Sequence, residues 1–548
     1  MKWGPWRVAL AGALVAALAT FPGLGGGTLW DNSESTYGEV AREILLYHDW
    51  VVMHLNGDPW FVQPPLYFWI AALFARVLGL SEFALRLPSA LASVAMAGIA
   101  GYVVGRIANA RAGLLAAVVL STALMQAVVG RLAIMDALLD LAVEGTILAW
   151  FGALQTGSRT YWYAGWSVLA LGTLAKGPVA PAVALLVIVP WAIWNRTAGV
   201  PLKAPSPWAW AGGLGLFAAL VLPWCVAVAR VAGPSALVEL VGHYTFGRYV
   251  STIENQTGPL WYYVPVVVLG FFPWFAFLVP AAFTGWRAAR AGSGGALERL
   301  ALVWAVVPFL FFSFATTKLP NYIALELPAL AILVALWFDR VVDDDDRRAA
   351  LGWTAVVPIT IGLLGIAVAI FSRTNALGSE FAQVRGSLLA LGIVVFAGSI
   401  ACFVLLLARR TAALAPFALG ATSIATLLVI ALVGLPLAER FKPVPQLATI
   451  INQQLRPGDA IAIQSLSGGN SLTFYTRPVV AHLDGPFQIP RGPASDPHRL
   501  VCSAPRAFVI SKTHWAKPYP TYGRTRHTVA FSNKDVLYLY DGPPCSAK

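Results

Sequence analysis

Charge is scarce in this chain. Asp, Glu, Lys and Arg make up 12% of its 548 residues, against roughly 25% in a soluble domain, which excludes a solvated multidomain protein. Cysteine is nearly absent, and four residues cannot form a disulfide scaffold in a chain of this length. Cys225 and Cys402 fall inside apolar runs as small hydrophobes, whereas Cys502 and Cys545 lie in a polar tail and could pair in an oxidising compartment. No Cys/His cluster has metal-ligand spacing. Nor does the sequence show the internal repeat common in transporters.

Apolar surface is what the chain has in plenty. Hydrophobic residues reach 58%, with 21 Trp and 28 Phe, and apolar stretches of roughly 18–24 residues recur almost from end to end, the mark of a polytopic membrane protein. The net charge of +12 then reflects cytoplasmic Lys/Arg loops and is weak support for nucleic-acid binding. With Lys2 and Arg7 inside, the first run (8–24) exits outward. Its basic start and the small Ala17 and Ala19 also fit a cleaved signal peptide, and either way residue 25 onward emerges outside. The run 64–80 is short and carries Arg76; crossing there would put Arg106 and Arg111 outside. It is therefore expected as an interfacial or re-entrant helix within an outer first loop, 25–87.

Alternation gives about 13 spans: 8–24, 88–105, 112–130, 137–156, 161–175, 178–194, 209–231, 259–283, 300–316, 322–338, 352–370, 387–408 and 414–435. Arg159, Arg196, Lys203, Arg287, Arg290, Arg299, Arg340 and Arg410 then fall inside. The expected architecture is an all-α polytopic domain over 1–435 and a small extracytoplasmic α/β domain over 436–548. The latter should have a helix at 444–455 and strands in AIAIQSL, PVVAHL, AFVISK and VLYLYD. The acidic run 343–346 reads as a solvated loop.

On this topology the unusual polar residues share the outer side. WDNSESTYGEVAREILLYHDW (30–50) places Asp31 and Glu34 before a capping box, Thr36 to Glu39, and an amphipathic helix on the membrane; these acids either cap that helix in water or do chemistry. In RLAIMDALLDLAVEG (131–145), Asp136, Asp140 and Glu144 share one helix face, with Arg131 an available partner. A charge in mid-bilayer costs ~2.5–3.5 kcal/mol, so these acids are either functional or a stripe facing a wet cavity. Lys176 in TLAKGPV and Lys318 in ATTKLPNY sit at outer span ends, as snorkelling side chains or an anion site. The outer loop 232–258 adds His243, Tyr244, Arg248, Tyr249, Glu254 and Gln256. Carboxylates beside cations at a membrane face suit transfer of a sugar from a polyprenyl phosphate. A carboxylate takes the acceptor's proton, and fixed cations stabilise the leaving phosphate.

The order WDNSESTYGEVAREILLYHDWVVMHLNGDPWFVQPPLYFW, SEFALRLPSAL, GRLAIMDALL, LAKGP and TTKLPNYIALELPAL resembles the bacterial C-type glycosyltransferases, in the group of aminoarabinose–lipid A transferases and protein mannosyltransferase-like enzymes. The resemblance is strong over roughly 8–340 and one of layout beyond it. It implies an inverting transferase working at the outer face of the inner membrane, with a polyprenyl-phosphate sugar and a lipid, glycan or protein acceptor. Asp136 corresponds to the family's second outer acid, and Lys318 with Tyr322 to a Lys/Tyr pair near the donor phosphate. Two positions depart from the pattern: Ser33 stands where the family has its catalytic Asp, and Gln63 where relatives have Lys. The catalytic carboxylate is then Glu34 or Asp31, and phosphate binding falls to Lys176, Lys318, Arg131 and Arg248. Ser33, Tyr37, Asp49, His54, Trp60, Gln63 and His243 are expected to shape the substrate cavity, their aromatics stacking on sugar or anchoring at the interface. No cofactor is expected, with a divalent ion at the outer acids left open. A lipid or solute transporter, with these acids as a proton relay, and an inactive relative that binds lipid-linked sugar are the other readings.

Overall fold

The computed structural model describes residues 3–30, 33–251, 256–343, 352–357, 359–360, 378–408, 410–439, 442–463, 470–476, 480–482, 502, 504–512, 523–532 and 535–542. Apolar runs become helices because a backbone in lipid must satisfy its own hydrogen bonds. Among the described residues, seven helices are long and apolar enough to cross a membrane: α4 (Glu82–Ile107), α7 (Asp136–Thr156), α9 (Val179–Thr197), α10 (Pro207–Ala232), Ala296–Phe314, Pro320–Val341 and Ala412–Glu439. Leu260–Gly270 and Trp274–Ala289 meet at 111° and make an eighth if counted as one span. Four apolar helices are shorter: α1 (Pro5–Thr20), α3 (Leu66–Leu78), α5 (Ala110–Thr122) and Leu391–Leu407. Two expected spans prove to be interrupted. Ala123 takes an extended conformation that separates α5 from α6 (Leu124–Val129), and the run 259–283 bends. Most of the expected span 352–370 lies outside the described residues.

The chain divides into two compact units. The first comprises Met1–Leu24, Ser89–Val226 and Val238–Gly434. In it α4 and α5 meet through glycine: a Cβ on Gly113 would stand 2.6 Å from Gly101 O and from Gly105 Cα, the small-residue contact that lets membrane helices approach. Helix α7 packs against α8 (Arg159–Lys176) and α9.

The second unit comprises Gly25–Pro88, Ala227–Leu237 and Leu435–Lys548, so the first loop belongs with the C-terminal residues. Helix α2 (Glu34–Tyr47) packs against α3 and the short helix Asn470–Tyr475. It is not an exposed interfacial helix: Glu34, Ser35, Thr36, Gly38, Glu39, Val40, Ala41, Glu43 and Ile44 are buried. The expected capping box is displaced as well, because the helix starts at Glu34 and Thr36 lies inside it. A hairpin follows, β1 (His54–Leu55) with β2 (Asp58–Pro59), turning through Asn56 (φ 57°) and Gly57 (φ 85°). Two positive φ values make this the Asn-Gly turn whose twist suits a hairpin.

The C-terminal sheet has order β4-β3-β5-β7-β6, from β3 (Ala460–Ile463), β4 (Val480–His482), β5 (Ala507–Lys512), β6 (Thr525–Ser532) and β7 (Asp535–Asp541). Ile461, Ile463, Phe508, Ile510 and Leu537 pack under the helix Pro443–Gln454 through Val444, Leu447 and Ile451. Helix and four strands lie where expected, while β6 was unforeseen. It is an edge strand with Thr525 to Thr528 exposed, so its sequence carries little apolar pattern. Cys502 is disulfide-bonded; Cys545 lies outside the described residues.

Candidate active site

Two groups of polar residues stand out, one in each unit. In the first unit, Asp136 opens α7 and Lys176 closes α8, each charge at the helix end that favours it. Lys176 Nζ donates to Asp136 Oδ1 at 2.5 Å, and Asn321 Nδ2 donates to the same oxygen at 2.6 Å. Lys176 Nζ also lies 5.4 Å from the centre of the Tyr322 ring, and Tyr322 packs on Phe312. The sequence flagged Asp136, Lys176 and Tyr322, and the fold brings them together. It missed Asn321, although that residue lies inside TTKLPNY. Arg131 was expected as an available partner for the acids of α7 and as a phosphate-binding cation. Arg131 instead donates to the carbonyls of Ala19 (3.3 Å), Thr20 (2.7 Å) and Pro22 (2.6 Å), capping α1.

Further along α7, Glu144 is 0% exposed, and neither of its oxygens has a hydrogen-bond partner among the described residues. Asp140 is buried, with Oδ2 in the same condition.

Lys318 also serves a helix end. Its Nζ donates to Ser313 O at 2.6 Å and Ala315 O at 2.7 Å, with the Tyr263 ring centre at 6.0 Å. Burial pulls this ammonium below its ordinary pKa. The segment around it is laced to the loop before residue 258: Lys318 N–H donates to Gln256 O, Thr316 N–H to Tyr249 O and Thr317 Oγ1 to Ser251 O. His243 stands exposed on a π-helical turn, its ring 4.8 Å from Tyr244. The side chain of Arg248 and all of Glu254 lie outside the described residues.

In the second unit, Glu34 is 0% exposed. Arg86 grips it with both faces of a fork, Nε to Oε1 and Nη2 to Oε2 at 2.9 Å each. Trp30 N–H adds a bond to Oε2 at 2.9 Å. Arg86 further donates to Gly26 O, Gly27 O and Thr28 O. A bidentate, buried pair of this kind is strong and holds its geometry. Glu34 therefore serves as a strut for the start of α2, and Arg86, unassigned in the sequence although it lies within SEFALRLPSAL, is its counterpart. Ser33 makes no side-chain cap bond, and Gln63 is half-buried. Asp31 lies outside the described residues.

The expected cavity residues divide by role. Tyr37 forms an edge-on cluster with Trp60, Tyr67 and Phe68, at ring separations of 6.3, 6.2 and 5.7 Å. Asp49 Oδ1 accepts the N–H groups of Val51 and Val52, fixing a turn. His54 lies 5.5 Å from the Tyr47 ring. Burial, with the Glu39 charge second, pushes the Glu43 carboxyl up to about 8. Among the described residues no three His, Cys, Asp or Glu side chains are grouped to hold a metal ion.

Residues 62–226 match the family described as dolichyl-phosphate-mannose-protein mannosyltransferase. The undecaprenyl phosphate-alpha-4-amino-4-deoxy-L-arabinose arabinosyl transferase of Erwinia tasmaniensis is 31% identical over 348 residues, 61% of this chain and 60% of the relative. That of Sodalis glossinidius (transferase 1) is 30% identical over 400 residues, 69% of this chain and 67% of the relative. The match thus spans about three fifths to two thirds of these relatives' length. The fold is that of ArnT from Cupriavidus metallidurans bound to undecaprenyl phosphate, with TM-score 0.81, 23% identity and 97% of each chain covered.

Proposed function

We propose, from the premise that this chain belongs to the C-type glycosyltransferases of the aminoarabinose transferase group, that it moves a sugar from a polyprenyl-phosphate donor to an acceptor hydroxyl at the outer face of the bacterial inner membrane. The observation that carries the reading is the Asp136–Lys176–Asn321–Tyr322 cluster, a polar site assembled from three segments of an otherwise apolar bundle. Ionisable groups in such surroundings are expensive unless they are used.

In the reaction the acceptor oxygen bonds to the anomeric carbon as that carbon's bond to the phosphate oxygen breaks. The electron pair stays on the phosphate and configuration inverts. Lys176, positioned by Asp136, meets the charge that grows there, which favours the transition state over the ground state. Tyr322 and Lys318 complete the phosphate site, with Arg248 a further cation. The hydroxyl proton passes to a carboxylate. Because Glu34 is locked to Arg86, we assign this role to Asp31. The carrier lipid is taken as undecaprenyl phosphate, which the relatives' names specify; the sugar is for a donor panel to identify. The reading needs no metal.

A second reading has specific support. Ser33, Gln63 and the clamped Glu34 together suit a protein that binds lipid-linked sugar without turning it over. Binding of undecaprenyl phosphate to the purified protein, followed by the transfer rate of Asp31→Asn, separates the two. The enzyme reading expects binding that weakens in Lys176→Met, and a rate lowered ~10²–10⁴-fold in Asp31→Asn. Binding without turnover in wild type would favour the second reading. An unimpaired Asp31→Asn would move the base elsewhere.

A further inference from the structure

The stretch Gly26–Trp30, directly before Asp31, is held by side chains from four separate segments of the second unit. Thr28 donates its N–H to Glu439 Oε1 at 3.1 Å, and its hydroxyl to the same oxygen. Lys442 Nζ donates to Thr28 O at 2.8 Å, pairs with Glu439 at 3.1 Å and stands 3.9 Å from the centre of the Trp30 ring. Leu29 N–H goes to Tyr475 OH at 2.7 Å and Trp30 N–H to Glu34 Oε2 at 2.9 Å. Arg86 donates to the carbonyls of Gly26, Gly27 and Thr28. Beyond Asp31, Ser35 N–H of α2 returns to Trp30 O at 3.2 Å. Gly27 sits at φ 73°, and a Cβ there would stand 3.0 Å from Glu439 Oε2, so glycine is what lets this carboxylate close on the strap.

An irregular stretch has no helix or ladder to satisfy its N–H and C=O groups, and here side chains do so, several of them charged, which makes the stronger bonds. Glu34 and Arg86 come from the first loop and its border. Glu439, Lys442 and Tyr475 come from the far end of the chain, 411 to 446 residues away from the groups they hold. Consecutive Cα atoms stand about 3.8 Å apart, so fixing Trp30 on one side and α2 on the other bounds where the Asp31 carboxylate can reach.

We propose that Glu439, Lys442 and Tyr475 are positioning residues for the transfer reaction: they fix the Gly26–Trp30 strap, and through it the reach of the acceptor-side base. The C-terminal segment thereby takes part in the chemistry without touching substrate. The strap itself is independent of the function proposed above; its effect on sugar transfer, and the role of Asp31, rest on that reading. Because the phosphate cluster around Lys176 belongs to the other unit, loosening the strap should slow transfer and leave binding of the lipid phosphate intact.

Two measurements on the full chain in nanodiscs test this. Hydrogen exchange of peptides covering 26–35 needs neither donor nor acceptor, so its failure is distinct from failure of the transferase reading. Lys442→Met and Glu439→Ala should each raise exchange there ~10-fold, while Lys442→Arg, which keeps a cation over Trp30, should match wild type. In the transfer assay Lys442→Met should lower kcat ~10–10²-fold with the stoichiometry and Kd of undecaprenyl phosphate binding unchanged, and Lys442→Arg should recover kcat. Wild-type exchange in both Lys442→Met and Glu439→Ala would overturn the strap. Unchanged kcat beside faster exchange, or a fall in kcat matched by lost binding stoichiometry, would overturn the positioning role, and an inactive wild type would remove that role alone. Tyr475→Phe, which removes a single hydroxyl, should move exchange and kcat in the same directions and decides the matter if the other variants do not fold.

Discussion

Arg86 and Lys176 illustrate what a rare charge does in an apolar chain, since each is answered by an acid distant in sequence. Replacing Arg86 with Met would leave Glu34 buried without its main partner, and the loss should reach ~3–5 kcal/mol, read as lower thermal stability in detergent. Adding Glu34→Gln should recover much of it; a purely additive loss would contradict the strut. For the second pair, Lys176→Met and Asp136→Asn should couple by ~0.5–3 kcal/mol in a double-mutant cycle on undecaprenyl phosphate binding, and additive effects would remove Asp136 as a positioning residue. Asp136 was legible in the sequence because a carboxylate in an apolar run is conspicuous, and Glu34 because it sits in a carboxylate-rich segment directly after one. Their partners were not. Arg86 is 52 residues from Glu34 and Lys176 is 40 from Asp136, so no local spacing rule joins them, and the neighbour Arg131 turned to carbonyls instead.

Helix boundaries were legible where hydropathy changes abruptly and illegible where the backbone alone changes. Ala123 ends α5 inside an apolar run, and the 111° bend falls between two stretches that are both apolar. Periodicity does not register either break. The Gly113 contact was equally hidden, because closeness of two helices appears only once they are packed. Its prediction is direct: Gly113→Val would press on the Gly101 and Gly105 backbone and should destabilise by ~1–3 kcal/mol. Gly215→Val has open space around its Cβ and should leave the unfolding temperature in detergent unchanged. Equal shifts in both would contradict the close α4–α5 approach.

Across the whole molecule, the sequence conveyed a many-spanning helical protein with a C-terminal α/β segment, because composition and hydropathy act over hundreds of residues. It did not convey that the first loop packs into one unit with that segment. Contacts such as Tyr475 OH, which accepts Leu29 N–H at 2.7 Å and donates to Glu82 Oε1 at 2.8 Å, join positions some 400 residues apart. The central claim, that the chain transfers a sugar from a lipid phosphate, is tested most directly by release of free polyprenyl phosphate. The purified protein would be given a panel of polyprenyl-phosphate sugars with a crude cell-envelope acceptor, beside Lys176→Met as control. Release by wild type from one donor, lowered at least ~10²-fold in Lys176→Met, is the predicted result. No release from any donor, in a preparation that still binds undecaprenyl phosphate, would contradict it.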